Sequence, residues 1–134
     1  MYLLPKPKTI KEQDGQMLLC HSTHIVMTKE VAETEMHAAK RLQEAIRQET
    51  GLILPFSVGE VREGDLSLGI AKTLPEQTYE ITIDEKGGQI SGGDGAGVLY
   101  GVETFCQIVQ QCGGILPCVQ TVSYTHLRAH ETGA

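Results

Sequence analysis

The chain contains no tryptophan and only 2 Phe and 4 Tyr in its 134 residues. Sugar-binding faces rely on exposed flat rings, whose large apolar area packs on a pyranose. Without Trp, the sequence is a poor match to a stand-alone carbohydrate-binding module. Basic blocks are missing too. The 11 Lys and Arg are scattered among 17 Asp and Glu, giving a formal charge of −6 and a pI near 5.3. That balance argues against a nucleic-acid surface and against an electrostatic membrane patch. No apolar run approaches the ~20 residues that span a bilayer. Cys20, Cys106, Cys112 and Cys118 form no C-x-x-C pair, so the short spacing of a zinc site is lacking. Met1-Tyr2 lacks the charged and apolar regions of a secretory signal, so the chain as written is expected to be intracellular. Its length fits one domain with a modest core.

What is present is a sequence of clear periodicities. Thr9 to Gln13 reads as a strand, Asp14-Gly15 as a hairpin turn, and Gln16 to Cys20 as the returning strand. His24-Ile25-Val26-Met27 is apolar and β-branched, as an interior strand requires. The period then becomes helical. Thr28 can cap a helix over 29–50, with Glu30, Glu33 and Glu35 near its positive end. Met36, Ala39, Leu42, Ala45 and Ile46 form its buried stripe, and Gly51 suits a left-handed C-cap. Leu52 to Val58 is a strand interrupted at Pro55, which places it at an edge. Leu66, Leu68 and Ile70 alternate, as do Tyr79, Ile81 and Ile83. Lys86-Gly87-Gly88 turns the second of these into Gln89-Ile90-Ser91. Asp94 then opens a helix over 95–111 with Val98, Val102, Phe105, Cys106 and Val109 on its apolar face. The expected fold class is α+β: an antiparallel or mixed sheet with two helices packed on one face.

Few residues look chemical. Gly92-Gly93-Asp94-Gly95-Ala96-Gly97, between strand and helix, is placed where backbone N–H groups can hold phosphate. No register gives G-x-G-x-x-G, no Gly-Lys-Ser/Thr follows, and Asp94 adds negative charge. A tight turn with close helix packing is the better reading. His21 and His24 lie three apart on a strand, on opposite faces, and His37 is isolated on the first helix. His126 and His130 have i, i+4 spacing but lie in an atypical tail. Cys106 reads as a small core residue. A Cys112–Cys118 disulfide across Gly113-Gly114 is left open by the sequence. Glu33, Glu35, Glu44 and Glu49 decorate a solvated helix, and Asp84-Glu85 a turn. No two carboxyls have the context of a glycosidase pair. No catalytic, cofactor-binding or metal-binding residue is therefore assigned.

Three stretches carry a family resemblance. They are the opening Leu3-Leu4-Pro5-Lys6-Pro7-Lys8 with Ile10, the Tyr79-Glu80-Ile81-Thr82-Ile83 strand with Ile90-Ser91, and the helix Gly97-Val98-Leu99-Tyr100-Gly101-Val102-Glu103-Thr104-Phe105 with Leu116-Pro117. In order and spacing they resemble the non-catalytic N-terminal domain of glycoside hydrolase family 20, the β-N-acetylhexosaminidases. The resemblance covers residues 1–120. It implies a structural accessory domain whose partner is a C-terminal catalytic barrel of the same parent chain. It also implies a parent that removes terminal N-acetylhexosamine by a substrate-assisted retaining mechanism. The Asp-Glu pair and the sugar pocket of that mechanism belong to the barrel, so no catalytic residue carries over. Similar domains precede the barrels of α-glucuronidases and O-GlcNAc-removing enzymes, and an independent interaction module is the other alternative. The string Val122-Ser123-Tyr124-Thr125-His126-Leu127-Arg128-Ala129-His130-Glu131-Thr132 is instead similar to a translated sequencing-library adapter. Residues 121–134 are accordingly expected to be a non-native tail, with the parent's barrel cut away. A severed face is expected to be apolar around Ile115, Leu116 and Val119.

Overall fold

The computed structural model describes residues 1–123. The expectations for His126, His130 and the rest of 124–134 lie outside the described residues. Seven strands form one mixed sheet: β1 (Thr9–Leu18), β2 (Ile25–Met27), β3 (Phe56–Val58), β4 (Leu66–Ile70), β5 (Tyr79–Asp84), β6 (Gly87–Gly92) and β7 (Ile115–Val122). Their order is β1-β7-β5-β6-β4-β2-β3. The β3-β2-β4-β6 half is parallel, and the β6-β5-β7-β1 half is antiparallel. Three helices, α1 (Lys29–Thr34), α2 (Met36–Thr50) and α3 (Gly95–Cys112), complete the α+β fold.

The sheet is two-faced because its strands alternate. Ile81, Ile90, Leu68 and Met27 are in register across β5, β6, β4 and β2, and all are buried. One residue along, Gln120, Thr82, Gln89 and Ser67 make a parallel row on the opposite face. The apolar rows and the buried stripes of α2 and α3 share one continuous core that includes Phe105, Leu42 and Ile46. The polar row faces away from the helices. Arg41 ties α2 to α3 through a forked pair with the Glu103 carboxylate, at 3.1 and 3.3 Å.

Four local readings are corrected. Asp14-Gly15 is a bulge inside one long β1, because β7 supplies a partner on both sides of it and the ladder resumes at Gln16. Gly15 keeps the positive φ of +107° that made Asp-Gly look like a turn. The first helix is two: Glu35 leaves helical geometry (φ −129°, ψ 31°), ending α1 and starting α2. The two-helix expectation thus becomes three. His21 lies in a turn, and only Ile25–Met27 is strand. Finally, Leu116 and Val119 are fully buried, and only Ile115 of that trio is exposed. The other boundaries behave as the caps require. Thr28 Oγ1 accepts from Val31 N, Asp94 accepts from Gly97 N, and Gly51 closes α2 at φ +79°. Strand β7 carries through Thr121 and Val122, past residue 120.

Candidate functional site

The glycine-rich turn is filled by its own chain. A Cβ on Gly92 would meet the Val98 and Gly97 backbone, one on Gly93 the Pro75 carbonyl, and one on Gly97 the Thr78 carbonyl. Asp94 Oδ1 accepts from both Gly97 N at 2.9 Å and Gln77 N at 3.0 Å. The Glu35 carboxylate stands where a Gly95 side chain would go. The positive end of α3 therefore faces two carboxylates of the protein, which take the Gly97 donor and the space before Gly95 and repel a phosphate. Close packing explains the glycines.

The histidines and cysteines do not converge. His24 Nδ1 lies 2.8 Å from Ser57 Oγ, but the neighbouring Asp65 accepts the His24 backbone N–H, not the ring. A nucleophile relay needs the carboxylate on the imidazole. His37 Nε2 lies 3.5 Å from the Glu35 carboxylate. All four cysteines are free, including Cys112 and Cys118. Burial pushes the Cys106 thiol up to about 12, and it also raises Cys112 and Cys118. Cys20 is exposed and lowered, because the Ser22 hydroxyl hydrogen-bonds its sulfur. Among the described residues, no group of three His, Cys, Asp or Glu could hold a metal ion. No described helix is long and apolar enough to cross a membrane.

Two concavities bear on function. A hollow of about 170 Å³ on the polar sheet face is lined by Asp65, Asp84, Lys86, Ser67, Thr82 and Gln89. It brings together two carboxylates that lie far apart in sequence. Both are committed to the backbone. Asp65 Oδ1 and Oδ2 accept from His24 N and Arg62 N, and Asp84 Oδ1 accepts from Lys86 N.

The second concavity, of about 330 Å³, lies between the N-terminal segment and α3. Leu4, Pro5 and Pro7 form one wall, Tyr100 and Glu103 another, and Gln77 and Ser123 close the end. Its geometry is fixed from both sides. Gln107 and Gln111, one turn apart on α3, each exchange hydrogen bonds with a backbone residue. Gln107 serves the Leu4 N–H and carbonyl, and Gln111 those of Tyr2. Leu3 between them is buried, so the opening segment is strapped along the helix. Gln77 is held at φ +63°, a conformation uncommon outside glycine. The Tyr79 hydroxyl is satisfied by Thr104 Oγ1 at 2.8 Å. The floor is thus pre-paired, while Leu4 and Tyr100 are 57% and 48% exposed. Nothing in the cleft resembles a pair of catalytic carboxyls, since Glu103 is the only carboxylate among its lining residues.

The sequence model of glycosyl hydrolase family 20, domain 2, matches residues 1–122. The chain belongs to this family. A β-hexosaminidase of Porphyromonas gingivalis (strain ATCC BAA-308 / W83) is 28% identical over 110 residues, which is 80% of this chain and 14% of that protein. A solved glycoside hydrolase family 20 β-N-acetylglucosaminidase is 27% identical with a TM-score of 0.67, covering 90% of this chain and 22% of the other. The exo-β-N-acetylglucosaminidase of Vibrio harveyi shares the fold with a TM-score of 0.73 at 18% identity, covering 92% and 19%. The family 20 domain thus spans about a seventh of the curated relative and about a fifth of these solved chains.

Proposed function

We propose that this chain is the structural accessory domain of a larger β-N-acetylhexosaminidase and is itself non-catalytic. The parent enzyme removes terminal N-acetylhexosamine residues, and its catalytic groups lie in a separate domain of the same polypeptide. The observation that carries this reading is the family match, which runs from the first residue to the end of β7. The free surface supports it. The carboxylates that gather on the polar face accept from backbone N–H groups, and the one acid of the cleft, Glu103, is held in a forked pair by Arg41.

The purified 134-residue chain is expected to leave an aryl N-acetyl-β-glucosaminide at the buffer rate. The natural gene, expressed in full, is expected to hydrolyse it. Turnover by the short chain that disappears on mutating a residue within 1–123 would overturn the non-catalytic assignment. A full gene product without activity on N-acetylhexosaminides would overturn the assignment of the parent.

A further inference from the structure

We draw no further inference here: the strongest candidate, the uncovered polar face of the sheet where Lys11, Gln120, Thr82, Gln89 and Ser67 run in register across β1, β7, β5, β6 and β4 beside the hollow lined by Asp65 and Asp84, carries nothing, because both carboxylates are held by backbone N–H groups and nothing in the structure shows what covers the row.

Discussion

At the residue scale, competing effects can be weighed at Gly97 and Cys106. Gly97 lies in the first turn of α3, where alanine would gain about 1 kcal/mol from helix propensity alone. A Cβ there would run into the Thr78 carbonyl, a backbone atom that cannot rotate away. Overpacking of that kind costs about 1–3 kcal/mol, so the steric loss should win. Gly97→Ala is expected to lower the urea midpoint, and a rise would show that α3 can lift from the β5 approach. Cys106 is fully buried, with its thiol pushed up to about 12 from an ordinary 9.0. The folded state therefore holds its proton where the unfolded chain releases it. This contribution is complete below pH 9 and is lost as pH rises through 12, with a slope of at most about 1.4 kcal/mol per pH unit. Burial raises Cys112, Cys118 and Tyr79 in the same sense. Chemical denaturation between pH 8 and 11 should show wild-type stability falling and Cys106→Ala falling less steeply. Equal slopes would place the alkaline loss elsewhere.

At the element scale, the readable segments were those whose local and global preferences agree. The alternation of β4 and β5, the Asp94 and Thr28 caps, the Gly51 terminus and the edge position of β3 all follow from spacing and turn chemistry, and all are present. Three features answer to tertiary context instead. Asp14-Gly15 supplies a positive φ equally well to a hairpin or a bulge, and only the presence of β7 decides. β7 carries a weak strand signal, because Pro117 interrupts it and proline disfavours a central strand. The proline is tolerated because β5 pairs only with Val119–Val122, so Pro117 faces β1 alone, beside the bulge. The break at Glu35 has no Gly or Pro to announce it. Its carboxylate is drawn to the N-terminus of α3, an element 60 residues away in sequence. The cleft was equally hidden, since its clamp is two ordinary glutamines. Replacing both with alanine removes the partners of two backbone residues, at about 0.5–1.5 kcal/mol per hydrogen bond. Gln107→Ala/Gln111→Ala is expected to speed amide exchange at Tyr2 and Leu4 while leaving that of β4 and β6 unchanged. Unaltered exchange at the strap would mean that the buried Leu3 side chain holds it without the clamp.

At the scale of the whole molecule, the strand order folds the two ends of the chain onto each other. Among the described residues β1 pairs with β7 alone, and β7 lies between it and β5 in the sheet. The parallel half is built from residues 25–92, and the antiparallel half draws on both ends of the described chain. Such a division invites the idea of two units that melt separately. The packing argues otherwise. α3 lies over β4, β5, β6 and β7, across the seam, and Leu68, Ile81, Ile90 and Val119 belong to one buried cluster with Phe105. The antiparallel half is covered by α3, and although α1 and α2 lie against β2 and β4, α2 itself packs on α3. Opening one half would expose α3 and the rows it covers, which costs the other half its core. Urea unfolding is therefore expected to be a single transition, with far-UV circular dichroism and tyrosine fluorescence coinciding. Ile81, fully buried on β5 near the centre, makes the sharper test. Ile81→Ala should destabilise by about 2–5 kcal/mol and shift both probes together. If the variant instead separates the transitions, with the parallel half persisting after β1, β5 and β7 are lost, then α3 stabilises only its own side of the sheet.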